Sequence, residues 1–273
     1  VKQENVKNYE LYMKMIHKYV DIFDNYFEES NEKDKKKGHT IMDDIDVYKT
    51  QYKYKYNSFL KNHKNKSAVF EEMHECSAKM TAIIFYTFKS QGPILIYSNY
   101  VKMEGLEILK IYMKHCGFSE FMLKNPTVGN DYYRYLEYSG DIDLETREQN
   151  KLAFNDIKNK YGEKIRIIMI SPAGSEGLSL NNVRQVHIME PYWHNTRIEQ
   201  VIGRAIRACH HRDIPMEDRI VDVYKYISVY GDAKTTDMVI KEQADLKDGL
   251  IKSFLDLVKQ AAIDCELFKD VNM

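Results

Sequence analysis

Short, mostly apolar runs alternate with helical patterns between Ser77 and Ile206, and this alternation limits the possible folds more than any other feature of the chain. Apolar runs that lie between turn residues are typical of parallel strands buried on both faces. Helices that connect such strands cover both sides of the sheet. The sequence therefore predicts an α/β fold with a parallel sheet and helices on both faces. The predicted strands are Ile94–Tyr97, Tyr133–Tyr138, Ile165–Ile170 and Gln185–Met189.

Helical periodicity and turn residues give the bounds of the connecting helices. Ser77 is expected to cap a helix that runs to Phe88, and Gly117 closes the next one. Near the N-terminus, aromatic residues at intervals of three and four predict an amphipathic helix that ends near Asn31, followed by an exposed loop to Gly38. The remaining predicted helices are Leu106–Met113, Thr146–Lys158 and Ile198–Arg207.

The helix Ile198–Arg207 carries the strongest chemical signal. One face is apolar, and Gln200, Arg204 and Arg207 share the other face. Gly203 lies within that polar face, where it costs about 1 kcal/mol relative to alanine and leaves the backbone uncovered. Two guanidinium groups beside a glutamine suit an anion with several oxygens, such as the γ-phosphate of a nucleotide. A solvent-exposed helix face with ion-paired arginines is the alternative.

The loop Ser171–Leu180 follows a predicted strand and is the second chemical element. Gly174 and Gly177 permit tight turns, while Ser171 and Ser175 offer hydroxyl and amide groups to phosphate oxygens. Ligands of parallel α/β sheets bind at the carboxyl ends of the strands, where this loop and Ser98 both fall. A Walker A motif does not occur in the sequence.

Composition excludes several classes of protein. The chain has 273 residues, of which 44% are hydrophobic and 30% charged, and no apolar run approaches the roughly 20 residues of a membrane span. A signal peptide is not recognised, so we expect a cytoplasmic protein. The four cysteines lie far apart, as is usual in a reducing compartment. Adjacent histidines point in different directions on a helix end, so Cys209–His211 with His74 and Cys76 is not expected to bind zinc, and no metal site is predicted.

The stretch Val47–Lys66 contains six lysines, no acidic residue and several interleaved aromatic residues. Lysines can neutralise phosphates while tyrosine rings stack on unpaired bases, so single-stranded nucleic acid could bind here. The favoured interpretation is a strand or hairpin in which Tyr52, Tyr54 and Tyr56 pack inward while Lys53 and Lys55 face water.

Three segments together resemble motifs V and VI of superfamily 2 helicases, most closely those of the Snf2-like branch. They are Ser171–Leu180, His187–Trp193 and the pattern Gln200-x-x-Gly203-Arg204-x-x-Arg207. Ile94–Asn99 is similar to motif IV, and the segment that includes Ser139, Gly140, Arg147, Phe154 and Asn155 resembles the part between motifs IV and V. The tail Thr235–Cys265 resembles helicases of large DNA viruses, which include poxvirus nucleoside triphosphatase I and the small subunit of the poxvirus early transcription factor.

This resemblance implies a RecA-like lobe, the second of two that close on ATP, with the Walker motifs and bound Mg²⁺ in the first lobe. The arginine-finger positions match Arg204 and Arg207, and the ATP-binding positions match Gln200, Gly203, Gly177 and Leu178. Positions that hold the nucleic-acid backbone match Ser98, Ser139, Gly140 and Ser171. Relatives often carry Asp or Asn where this chain has Ser179, so a ribose contact is not expected there.

The resemblance also sets expectations for domains and partners. We expect a helical and basic segment or insertion over residues 1–74, the RecA-like domain over residues 75–230, and a helical tail packed on it over residues 231–273. The implied nucleic-acid partner is DNA rather than RNA. The implied protein partners are the first lobe and a viral RNA polymerase, and no membrane partner is expected. A virus factory or virion is the expected location.

The implied function is that of the second lobe of an ATP-dependent helicase or translocase. Because the chain lacks Walker motifs and begins with Val1, it is expected to be a fragment that is inactive alone. The alternative is a non-catalytic protein-docking module of a viral transcription assembly.

Overall fold

The computed structural model describes residues 2–102, 105–122, 133–172 and 177–261. Within these ranges six parallel strands form one sheet in the order β2-β3-β4-β1-β5-β6. The parallel sheet of the α/β prediction is thereby confirmed. The strands are β1 (Ile94–Tyr97), β2 (Ser119–Glu120), β3 (Arg134–Tyr138), β4 (Ile167–Ile170), β5 (Gln185–Ile188) and β6 (Asp222–Lys225).

The helices cover the sheet from both sides. They are α1 (Lys2–Lys37), α2 (Ile41–Thr50), α3 (Tyr56–Asn62), α4 (Ala68–Cys76), α5 (Ala78–Thr87), α6 (Leu106–His115), α7 (Leu144–Phe154), α8 (Asn195–Ala205) and α9 (Thr236–Ala261). Alternate residues of β1 show the two faces, because Ile94 and Ile96 pack in the core under α1–α6, whereas Leu95 and Tyr97 pack in the core under α7 and α8. The predicted arrangement with helices on both faces is correct.

The first helix is longer than predicted and ends at Lys37 rather than near Asn31. Asp34 explains the extension, because its buried carboxylate accepts hydrogen bonds from the backbone N–H groups of Ala68 and Val69 at 2.9 and 3.0 Å. Gly38 then ends the helix in the left-handed conformation (φ +71°). The predicted loop over 31–38 is therefore wrong, because tertiary contacts with α4 favour continued helix, although most of these residues are exposed as predicted.

The basic, tyrosine-rich stretch Val47–Lys66 folds as the end of α2, a turn and α3, and the predicted strand or hairpin is wrong. Its packing follows the favoured interpretation, since Tyr56 is buried and both Tyr52 and Tyr54 pack against the core, while Lys53 and Lys55 are exposed. The ring centroids of Phe59 and Phe85 lie 5.4 Å apart. Rings that pack in this way are not free to stack on bases.

Two predicted helix ends and two strands also differ from expectation. The strands β2 and β6, at opposite edges of the sheet, had no clear sequence signal because β6 is largely exposed and β2 is two residues long. Helix α7 ends at Phe154 rather than Lys158, because Asn159 donates to the carbonyl of Phe154 at 2.9 Å and shapes the turn that leads into β4. Helix α8 ends at Ala205 rather than Arg207.

The predicted boundary between residues 74 and 75 falls within a continuous core. Phe70, on the N-terminal side of this boundary, packs edge-on against Phe85 with ring centroids 5.2 Å apart. The division into three domains therefore stays a prediction. Helix α9, in the predicted tail, buries Ile240 and Ala244, whereas apolar residues of its second half such as Leu250 and Phe254 are exposed. Among the described residues, none of the helices has the length and apolar character that a membrane crossing requires.

Candidate nucleotide and nucleic-acid site

Three of the predicted nucleic-acid contacts lie side by side at one edge of the sheet. Ser139, Ser171 and Ser98 each follow the last paired residue of β3, β4 and β1, which are neighbouring strands. We call this the carboxyl edge. The register therefore brings together residues that are far apart in the sequence. All three serines are buried, with exposures of 0 to 2%.

The hydroxyl of Ser98 is held by Glu190, which follows the neighbouring strand β5. Its hydroxyl donates to both carboxylate oxygens of Glu190 at 3.0 and 3.1 Å, and the backbone N–H of Asn99 donates to the same carboxylate at 3.0 Å. Burial raises the pKa of Glu190, although these hydrogen bonds oppose the shift. Because the Ser98 hydroxyl is buried and already donates to Glu190, its predicted contact with nucleic acid would require these hydrogen bonds to break.

Ser139 is organised in a similar way beside β3. Its hydroxyl donates to the carboxylate of Glu137 and accepts from the backbone N–H of Asp141 at 3.3 Å. Glu137 also pairs with Lys110 at 3.1 Å. Burial lowers the pKa of Lys110, but the charges and hydrogen bonds of Glu137 and Glu107 together outweigh this effect and leave that pKa raised. Gly140, the next residue, is exposed, so its backbone is the accessible group of this turn.

Helix α8 presents a polar face to a groove. Ile198, Val201 and Ala205 are buried, while Gln200 is exposed and Arg204 is half-buried. The groove has a volume of about 480 Å³, and we call it the α8 groove. Among the described residues, its lining includes Pro172, Tyr192, His194, Arg197, Gln200 and Arg204 and contains no carboxylate. A groove lined by guanidinium and amide groups suits an anion rather than a cation.

Two arginines line the α8 groove, and one of them was not predicted. Arg197 donates to the hydroxyl of Tyr192 at 2.9 Å, and its guanidinium lies 4.7 Å from the centre of the same ring. The sequence signal that could have predicted Arg197 was its helical spacing from Gln200 and Arg204, at i, i+3 and i+7. The Nε of Arg204 is buried and has no hydrogen-bond partner among the described residues. Arg204 therefore lines the groove and also carries a buried donor that is unpaired among the described residues.

Arg207 does not share the helix with Arg204, which corrects the predicted two-arginine face. The backbone leaves the helix at Ile206 (φ −114°, ψ 86°), and Arg207 lies in the turn that follows. Its Nε donates to the carbonyl of Gly203 at 2.9 Å, and its NH1 donates to the hydroxyl of Ser179 at 3.3 Å. The exposed guanidinium is thereby fixed beside the end of α8.

Asn155 holds the segment that contacts both arginines. Its Nδ2 donates to the carbonyl of Ser179 at 2.9 Å, and its Oδ1 accepts from the backbone N–H of Asn181 at 2.8 Å. Between these two contacts, the N–H of Leu180 donates to the carbonyl of Arg204 at 3.1 Å. The sequence resemblance included Asn155 but assigned it no role. The structure gives it a positioning role for the segment 179–181.

The remaining predicted ATP contacts differ in accessibility. Gly177 is exposed and adopts the left-handed region (φ +70°), which favours glycine. The side chain of Leu178 is buried in the core, so only its backbone is available. A Cβ added at Gly203 would meet no atom within 4 Å, which leaves the helix backbone there open. Gly174 and Ser175 lie outside the described residues.

Comparisons with known proteins give the family. Residues 55–209 match the helicase conserved C-terminal domain. A protein of Acanthamoeba polyphaga mimivirus, named "Putative ATP-dependent RNA helicase", is 45% identical over 96% of this chain and 33% of its own length. Nucleoside triphosphatase I of Melanoplus sanguinipes entomopoxvirus is 30% identical over 78% of this chain and 30% of its own length.

A third relative is the African swine fever virus protein named "Termination factor NPH-I homolog", which is 30% identical over 69% of this chain and 33% of its own length. The chain thus spans about a third of the length of these relatives. The expected resemblance to helicases of large DNA viruses is confirmed. The match over residues 55–209, on a parallel sheet of the predicted class, shows that the chain belongs to the helicase conserved C-terminal domain family.

Proposed function

We propose that this chain acts as the second lobe of an ATP-dependent helicase or translocase. ATP and Mg²⁺ would be held by a first lobe, and Arg204 and Arg207 would contact the γ-phosphoryl group when the lobes close. In phosphoryl transfer, such arginines stabilise charge that develops in the transition state and contribute about 10³–10⁵ in rate.

One observation carries the nucleotide part of the proposal. Arg204 lines the α8 groove with a buried Nε that has no partner among the described residues. An unpaired buried donor costs about 1–3 kcal/mol, and an incoming phosphate oxygen would satisfy it. Gln200 and Arg197 line the same groove and would add donors to the same anion, while the open backbone at Gly203 and Gly177 would permit close approach.

The carboxyl edge is the proposed contact with the nucleic-acid backbone. Gly140 has the accessible backbone there, and Ser171 follows β4 at the centre of the edge. Ser98 and Ser139 would act by fixing the turns after their strands, because their hydroxyls accept from the N–H groups of Tyr100 and Asp141. Backbone contacts carry no base information, so little sequence preference is expected. DNA rather than RNA is the proposed substrate.

The other partners follow from the relatives, since one is named for transcription termination. We propose a viral transcription assembly with an RNA polymerase as the setting, in the virus factory or the virion. If the following experiment shows that the arginines have no role in turnover, it would favour the alternative function, a protein-docking module without catalysis.

The test replaces Arg204 by lysine in a protein that joins this chain to a first lobe. Lysine keeps the charge but loses the planar pair of donors, so kcat of the nucleic-acid-stimulated ATPase should fall by two decades or more while ATP affinity changes little. Arg207→Ala should lower kcat by roughly two to four decades, or about 3–5 kcal/mol.

Arg212→Lys is the matched control, because the Arg212 side chain is 80% exposed and lies outside the α8 groove. It should leave kcat unchanged. Thermal unfolding of every variant separates loss of catalysis from loss of fold. Near-normal kcat in Arg204→Lys, or activity that falls only in step with stability, would contradict the finger role and favour the docking module.

A further inference from the structure

Two histidines and one aspartate meet on the side of the sheet that α1–α6 cover, far from the α8 groove in sequence. The Nε2 atoms of His39 and His63 lie 2.9 and 3.2 Å from the same carboxylate oxygen, Oδ1 of Asp44. All three potential ligand atoms lie within 4.8 Å of one another. His39 precedes α2, Asp44 lies within it, and His63 follows α3, so only the fold brings them together.

The surroundings of Asp44 fix its orientation. Asp44 is fully buried, and its second oxygen, Oδ2, accepts from both the backbone N–H and the hydroxyl of Ser67 at 2.8 and 2.7 Å. Oδ1 is therefore left facing the two imidazoles. Metal-binding carboxylates are commonly oriented by such outer hydrogen bonds. Among the described residues, no lysine or arginine forms an ion pair with Asp44, and only the two imidazoles pair with its carboxylate.

We propose that His39, Asp44 and His63 form a Zn²⁺ site. Zinc bonds of about 2.0–2.2 Å at tetrahedral angles place ligand atoms roughly 3.3–3.5 Å apart, so the two distances from the imidazoles to Oδ1 of Asp44 need to widen by only a few tenths of an ångström. Each imidazole would bind through Nε2 and carry its proton on Nδ1. The side chains of His39 and His63 are 25% and 14% exposed, which leaves a path for the ion and a water ligand.

A second cluster of the same residue types shows what distinguishes this site. Asp24, Glu28 and His115 also converge, but Lys114 lies 2.7 Å from Oδ2 of Asp24 and supplies the positive charge there. Both ring nitrogens of His115 are bonded, to Asn31 and to Asp24. In contrast, no lysine among the described residues pairs with the carboxylate of Asp44. The bound ion would connect the α1–α2 loop, α2 and the end of α3.

The experiment measures metal binding by the untagged 273-residue chain after removal of metal by a chelator. One Zn²⁺ per chain should bind in calorimetry and raise the thermal midpoint of unfolding. Co²⁺ should give the visible absorption of a four-coordinate ion that Zn²⁺ then displaces. His39→Gln and His63→Gln should each abolish this binding, since glutamine can still donate to Asp44 but does not bind zinc well.

Two further variants make the test selective. Ser67→Ala removes the hydroxyl that donates to Asp44 and that also accepts from the N–H of Phe70 at the start of α4, and it should weaken zinc binding by roughly 10–100-fold. His17→Gln, at an exposed position of α1, is the matched control and should bind like the unaltered chain. The proposal is overturned if the unaltered chain binds no stoichiometric Zn²⁺, or if His39→Gln and His63→Gln, shown to be folded by circular dichroism, bind as tightly as His17→Gln. Loss of binding in His115→Gln alone would assign the ion to the other cluster and equally overturn it.

Discussion

Replacing Asn155 by alanine should lower both stability and the proposed ATPase, because this side chain holds the segment that positions Arg204 and Arg207. The substitution removes the bond to the carbonyl of Ser179 at 2.9 Å and the bond to the N–H of Asn181 at 2.8 Å. Each such bond contributes about 1 kcal/mol, so the expected loss in the free energy of unfolding is about 2 kcal/mol. For a chain of this size that corresponds to a fall of roughly 4–8 °C in Tm.

The assay combines urea unfolding of the chain with turnover by a two-lobe protein that contains it. With the segment released, the guanidinium of Arg207 loses its fixed acceptor at Ser179, so kcat should fall by about one decade or more while ATP affinity is retained. Asp156→Ala is the matched control, because Asp156 is the next residue and caps a separate turn at the N–H of Lys158. It should leave kcat unchanged.

A double variant separates a positioning role from an independent one. If Asn155 acts through Arg207, then Asn155→Ala should add little to the loss of kcat caused by Arg207→Ala. Fully additive losses would refute the positioning argument. An unfolding free energy equal to that of the unaltered chain would refute the predicted loss of stability. It would mean that hydrogen bonds to water replace the two bonds of Asn155 equally well.

Three further predictions concern the isolated chain. It should show no ATP turnover above a variant in which both proposed finger arginines are replaced, because no Walker motif occurs in its sequence, and measurable turnover would count against a separate first lobe. Replacing Lys53, Lys55 and Lys61 by glutamine should leave the salt dependence of nucleic-acid binding unchanged, since the neighbouring tyrosine rings pack into the core, whereas a slope reduced by about 2–3 would show that these lysines bind phosphates. Burial raises the pKa of Glu190, so the folded state favours the protonated carboxyl. This contribution to the free energy of unfolding is present below the ordinary pKa of 4.5 and is lost as the pH rises through the raised pKa. Glu190→Gln should therefore lose less stability than the unaltered chain as the pH rises from 4 to 8 in a series of urea unfolding experiments. Equal slopes of unfolding free energy against pH for the two proteins would contradict this.

The sequence by itself determined the class of fold and the edge of the sheet at which the proposed nucleic-acid contacts lie. Apolar runs such as Ile94–Tyr97 and Ile167–Ile170 are buried on both faces in a parallel sheet, and this requires little knowledge of the rest of the chain. Parallel strands end at a common edge, so Ser98, Ser139 and Ser171 could be predicted to lie together. The placement of Gln200 and Arg204 on one polar face followed from helical periodicity alone.

Tertiary contacts decided where several of these elements end and which side chains remain free. Charged residues 31–37 continue α1 because Asp34 meets the N–H groups at the start of α4, a partner that no local pattern reveals. Helical periodicity continued to Arg207, whereas the helix ends at Ala205. The sequence also could not show that the hydroxyls of Ser98 and Ser139 would be buried against carboxylates.

The His39, Asp44 and His63 cluster shows most clearly what only the tertiary structure decided. Asp44 and His63 lie nineteen positions apart with a complete helix between them, so no local pattern joins them and the sequence predicted no metal site. Local periodicity reports on one element at a time, because it arises from the geometry of a single helix or strand. Ligand geometry at this cluster depends instead on how α2, α3 and α4 pack together, and that packing is set by the whole core.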